Sequence, residues 1–107
     1  MKTLQVAIIV GMSFAGAARA DWPPEDLWYK CKGCHGLDGK ANTKVGAQEK
    51  MPDMTTEKWQ AEFTDAAIKD IITNGYQKNP KMKAYKDKFT QSEIDSLIPY
   101  IRQFKGK

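Results

Sequence analysis

Between residues 21 and 107 the apolar side chains come in short bursts at helical spacing, set apart by long polar stretches. The clearest burst is the last. Ile94, Leu97, Ile98, Ile101 and Phe104 recur every three or four positions, and Thr90 with Glu93 forms a capping box ahead of them. Pro99 falls inside this helix and is expected to bend it or shift one turn. A second helix is predicted from Asp65 to about Asn74, with Thr64 as its cap, Ile68, Ile71 and Ile72 on one face and Gly75 as its stop. A shorter one is predicted from Glu57 to Phe63, behind Thr55 and Thr56. The first, Glu25 to Lys30, is opened by Pro23 and Pro24, carries acids in its first turn and leads directly into Cys31. Gly36 to Pro52 is predicted to be an irregular loop with Gly36, Gly39 and Gly46 as turn formers, and Tyr76 to Phe89 a lysine-rich loop broken by Pro80. No alternating strand pattern and no internal repeat occurs, so the expected class is all-α, three to four short helices joined by long loops.

Residues 1–20 follow a different pattern. Lys2 supplies a positive start, Leu4 to Ala18 are almost wholly apolar or small, and Ala18-Arg19-Ala20 offers small residues at cleavage positions, which together predict a secretory signal peptide removed after Ala20. A membrane anchor is the competing reading, but the run falls short of the roughly 20 residues a bilayer requires and contains Gln5 and Ser13. The expected product is one exported domain over residues 21–107, without stable membrane insertion once the leader is gone.

Composition supports a single soluble domain, with 41% hydrophobic and 28% charged residues. Seventeen Lys and Arg against thirteen Asp and Glu give +4; loss of Lys2 and Arg19 with the leader leaves fifteen against thirteen, or +2. A nearly balanced domain without repeated basic and aromatic positions is not expected to bind nucleic acid. Its core is small, and domains of this size often depend on a covalent or metal staple.

Cys31-Lys32-Gly33-Cys34-His35 supplies the candidate staple, because it has the C-x-x-C-H form of a covalent haem attachment site. Cysteines three apart on a helical turn share a face and can each form a thioether with one porphyrin, while the adjacent histidine reaches the iron from the same side. His35 is the only histidine of the chain, and Gly33 spares the haem edge a side chain where the backbone comes close. Three other readings exist. A thioredoxin-like pair needs a βαβ scaffold, a zinc site needs four ligands where only three Cys and His residues exist, and a disulfide closing so small a loop stabilises little. For the other side of an iron, the sequence offers Met51, Met54 and Met82. Met82 lies in a loop far along the chain from His35 and can return over the opposite face; Met51 and Met54 flank Pro52 and fit the packing of an edge.

Taken in order, these residues resemble the class I cytochrome c family across the whole of residues 21–107. The resemblance is carried by a helix entering Cys31-Lys32-Gly33-Cys34-His35-Gly36, a central helix ending Ile71-Ile72-Thr73-Asn74-Gly75, then Met82-Lys83-Ala84-Tyr85, and a last helix ending Pro99-Tyr100-Ile101-Arg102. It implies the cytochrome c fold wrapped around one haem c, bound covalently through Cys31 and Cys34, with His35 as the proximal iron ligand. The methionine opening the family's M-P-x-[FY] stretch falls on Met82, which implies His/Met ligation and a raised reduction potential. Here Lys83 stands where proline is usual, and Pro80 precedes the methionine instead. The resemblance further implies that the first and last helices cross, Leu27 or Trp28 meeting Leu97, Tyr100 or Ile101, and that Trp59 lines the haem floor.

The function expected from this is single-electron transfer between partner proteins rather than enzymatic catalysis, in a monomer exported to a compartment such as the bacterial periplasm. Lys78, Lys81, Lys83, Lys86 and Lys88 surround Met82 with only Asp87 to offset them, a positive loop suited to redox partners with acidic docking surfaces. A solvated loop would have the same composition. Two alternatives differ in class: a haem sensor or peroxidase-like enzyme with an open or displaceable sixth site, and a cytochrome subunit docked in a larger redox complex.

Overall fold

A computed structural model of the chain describes residues 20–107. The predicted leader lies outside the described residues except for Ala20. Six α-helices follow in order: α1 (Pro24–Leu27), α2 (Lys32–His35), α3 (Lys44–Gln48), α4 (Glu57–Glu62), α5 (Asp65–Asn74) and α6 (Gln91–Arg102). No strand occurs among the described residues.

The capping chemistry sets most of the boundaries. Thr56, Thr64 and Thr90 each accept the backbone N–H three residues on, from Trp59, Ala67 and Glu93, at 3.1 Å in all three cases. At α6 the box is complete, since Glu93 Oε1 accepts the Thr90 N–H at 2.8 Å. α5 stops where Gly75 takes φ of 87°, a left-handed conformation that costs glycine least. Pro99 stays within α6 without ending it: the residue is exposed, as is Asp95, whose carbonyl loses the usual fourth-residue donor.

Two expectations need correction. The first helix does not run unbroken to Lys30: α1 tightens into a 3-10 turn at Trp28–Lys30, where the Cys31 N–H bonds Trp28 O at 2.8 Å. The stretch from Gly36 to Pro52 is not wholly irregular either. It contains α3, capped by Thr43, whose hydroxyl accepts the Gly46 N–H at 2.8 Å. α3 buries no large apolar side chain and Val45 is exposed, so it has no hydrophobic period to betray it.

α6 packs on both α1 and α5 and forms the centre of the core. Its Ile94, Leu97, Ile98 and Ile101 are buried with Leu27, Ile68 and Ile72, each such side chain contributing roughly 1.5–3 kcal/mol, more than a single cap at about 1 kcal/mol. The expected crossing of first and last helices is present, with the Trp28 ring 5.8 Å from Tyr100 and 5.2 Å from Phe104.

Two polar networks fasten the ends of α6. Glu93, with 0% exposure, also accepts the Trp22 N–H on Oε2 at 2.8 Å, while the Thr90 hydroxyl donates to Asp21 at 2.7 Å. At the other end Arg102 donates to Asp65 Oδ1, to the Gln60 carbonyl and side-chain oxygens, and to Phe63 O at 2.6 Å. This fork ties α6 to the junction of α4 and α5.

Candidate functional site

The Cys31–His35 turn is held by its carbonyls. Thr43 Oγ1 donates to Cys34 O, the Ala41 N–H to His35 O and the Trp28 indole N–H to Gly36 O, each at 2.8 Å. Three consecutive carbonyls at a helix C-terminus, ordinarily left to solvent, are thus satisfied by donors from two segments, the turn before the motif and the loop after it. Ala41 holds its end of this arrangement with φ of 58°, a conformation uncommon for a residue with a side chain. The loop after the motif is therefore part of the site; its length marked it as a loop wrapped around something, but nothing in its pattern named these carbonyls as its partners. Thr43 ahead of Gly46 was the available signal, as a cap candidate.

Against this turn opens a cavity of about 250 Å³ with an overwhelmingly apolar lining. Cys31 and His35 reach it from the attachment turn, Trp59 and Ile72 from α4 and α5, Leu97 and Ile101 from α6, and Met82 and Tyr85 from the lysine-rich loop. The structure thus brings Cys31, His35 and Met82 to one space. Cys34, half-buried in the same turn, is not among the lining residues. Met51 and Met54 also line the cavity; Met54 is buried in the core, its N–H bound to Gly39 O at 2.9 Å. Trp59 is buried and stacked on Phe63 with ring centroids 5.0 Å apart. The five lysines at 78, 81, 83, 86 and 88 are all exposed, and none forms an ion pair among the described residues.

The electrostatics favour a ligand role for the imidazole. His35 Nδ1 is buried without a hydrogen-bond partner, a costly state for a polar atom, and burial lowers the ring's pKa from 6.5, so that it is neutral at physiological pH. A neutral imidazole lining an apolar cavity is the donor a metal centre requires. Both cysteines are unpaired thiols, and burial, with Cys34 adding to it, pushes Cys31 up to about 12. That is opposite to the lowered thiol of a redox pair. Among the described residues no three His, Cys, Asp or Glu side chains converge as a metal-binding cluster, which removes the donor set a zinc site needs. One nitrogen donor, a thioether donor, two thiols in the adjoining turn and an apolar lining fit an iron porphyrin.

Residues 23–101 match the family described as cytochrome C oxidase, cbb3-type, subunit III. The chain belongs to this family of c-type cytochromes. It carries haem c with its iron, and it stands among the electron-transfer haem proteins. The KustC0563 c-type cytochrome superposes with a TM-score of 0.70 at 32% identity, covering 78% of this chain and 99% of that one; a single-residue mutant of it superposes at 0.67, also at 32% identity, over 78% and 100%. A curated relative is the cbb3-type cytochrome c oxidase subunit FixP of Bradyrhizobium sp. (strain ORS 278), 29% identical over 76 residues. Those residues make up 71% of this cytochrome and 24% of the relative, so the chain spans about a quarter of that protein's length. No helix among the described residues of the cytochrome is long and apolar enough to cross a membrane.

Proposed function

We propose that this cytochrome carries single electrons between redox proteins, its haem joined to Cys31 and Cys34 and its iron held by His35 and Met82. The observation that carries the reading is the meeting of His35 and Met82 in one apolar cavity, from segments far apart in the chain. When bound, the haem iron supplies a one-electron change of oxidation state. The chain's part is to present His35 and Met82, which would hold the iron, keep His35 neutral, and surround the site with apolar side chains that exclude water. With His35 and Met82 both holding the iron, the reduction potential would be raised and no position would be left for a substrate, so no substrate bond would be made or broken.

The leader pattern supports an exported, periplasmic protein. The exposed lysines around Met82 support docking to partners with acidic surfaces. The similarity to one quarter of an oxidase subunit also supports a second reading, a cytochrome docked in a larger redox complex; the size of the detergent-free protein in solution separates this from a freely diffusing monomer.

The deciding experiment is mass spectrometry and absorption spectroscopy of chain exported in cells with haem-ligation machinery. Expected are a mass equal to residues 21–107 plus one haem, and a ferric spectrum with the weak far-red band of thioether ligation. A high-spin ferric spectrum that shifts with cyanide at once would favour a sensor or peroxidase-like site. Colourless protein with two free or mutually bonded thiols would overturn the assignment.

A further inference from the structure

The lysine-rich loop contains a small closed frame around Met82. The Met82 N–H bonds Asn79 O at 3.0 Å, closing a β-turn with Asn79 first and Pro80 second, the positions where each residue is favoured. The Asn79 side chain closes a second ring inside the first, its Oδ1 accepting the Lys81 N–H at 3.1 Å. Asn79 N–H in turn bonds Tyr76 O, and Tyr76 N–H bonds Met82 O, both at 3.1 Å. Both backbone polar groups of Met82 are thereby engaged within residues 76–82. Beneath it lies the end of α5: a Cβ at Gly75 would sit 3.2 Å from Met82 O and 3.3 Å from Ala84 N, so the chain passes too closely for a larger residue.

After Met82 the support is thinner. Lys83 and Ala84 are exposed, and the next backbone hydrogen bond is that of Tyr85 N–H to Ile72 O at 2.8 Å. A proline at 83 would restrict the φ and ψ of Met82 from the carboxyl side; Lys83 does not. The restriction comes from the amino side.

We propose that Asn79 is a positioning residue for Met82, its side chain and the Pro80 that follows building the turn that fixes the Met82 backbone at the cavity wall. This rests on the reading of Met82 as the second iron ligand. Pro80 presets the turn's φ, and Asn79 Oδ1 takes up an amide that would otherwise turn to water and open the frame. Without the acceptor the methionine leaves the iron more often.

The test uses ferric holoprotein, with the far-red thioether band and the rate of cyanide binding as readouts, since cyanide enters only when Met82 departs. Asn79→Ala is expected to bind cyanide roughly fivefold faster, the factor that loss of one ordinary hydrogen bond carries. Asn79→Asp retains an acceptor oxygen and is expected to match the parent. Asn74→Ala, which removes only an exposed contact to Asp70 on α5, is expected to do the same. Equal rates for the parent and Asn79→Ala overturn the proposal, as does an Asn79→Asp rate as high as that of Asn79→Ala. If Asn79→Ala yields no holoprotein, Pro80→Ala serves instead: it keeps the acceptor but frees φ, and is expected to bind cyanide roughly twofold to fivefold faster, the same rate as the parent counting against the proposal. A parent lacking the far-red band removes the ligand reading itself, a result separate from any behaviour of the variants.

Discussion

The Trp28 indole N–H donates to the carbonyl of Gly36 at 2.8 Å, in a buried contact that fixes the attachment turn to the aromatic cluster beneath it. Trp28→Phe keeps an aromatic ring against Tyr100 and Phe104 but removes the shorter of the Gly36 carbonyl's two hydrogen bonds, leaving the one from the Gly39 N–H at 3.3 Å. The expected loss is about 1–2 kcal/mol of folding stability, one buried hydrogen bond plus a small void. Urea unfolding measures it, and a midpoint unchanged from the parent would show that the bond contributes nothing.

Gly46 is under a harder constraint. A Cβ there would collide with the carbonyl of Ala41 and lie 2.8 Å from that of Cys34, both backbone atoms. Gly46→Ala is therefore expected to cost more than about 2 kcal/mol and to lower the yield of haem-loaded protein, because the strain falls on the turn carrying Cys34 and His35. Gly33→Ala meets no protein atom within 4 Å. Circular dichroism melts of both variants check the contrast; equal melting points would contradict it.

Asp53 gives the fold a dependence on acid. Its carboxylate accepts both the N–H and the hydroxyl of Thr55, and the side-chain hydrogen bond is the main cause of a pKa lowered from 3.8. A carboxyl whose folded-state pKa is depressed contributes stability that is present above the unfolded value and lost as pH falls through the folded one. The melting-temperature gap between the parent and Asp53→Asn should thus be widest near neutrality and shrink below about pH 4. A gap independent of pH would exclude this linkage.

Lys81, Lys83 and Lys86 are exposed beside Met82. Replacing all three by Gln is expected to slow reduction by an acidic redox protein on the order of tenfold at low ionic strength, with the difference fading as salt rises. Stopped-flow rates across a salt series test this. An unchanged slope would assign the lysines to solvation alone.

Much of this architecture was legible in the amino-acid order, for identifiable reasons. The capping box at Thr90 and Glu93 and the apolar period of α6 are local signals, and local signals survive folding when the core confirms them. C-x-x-C-H announces its chemistry by spacing alone. What escaped has no local mark. The clamp on the carbonyls of residues 34–36 draws donors from positions 28, 41 and 43, and the Arg102 fork reaches back across some forty positions to Gln60 and Phe63. The break of the first helix at Trp28 likewise answers to packing, since nothing in Trp28-Tyr29-Lys30 forbids an α-turn. Glu93 was recognised as a cap, but its burial under Trp22 became apparent only once the start of the domain was placed against α6.

One wall of the cavity is built by Leu97 and Ile101, which belong to the last helix. A chain delivered amino end first presents its two thiols and its imidazole long before that wall exists. Order of arrival thus gives a bulky prosthetic group an unobstructed approach, and the final segment then closes around it like the back plate of a case.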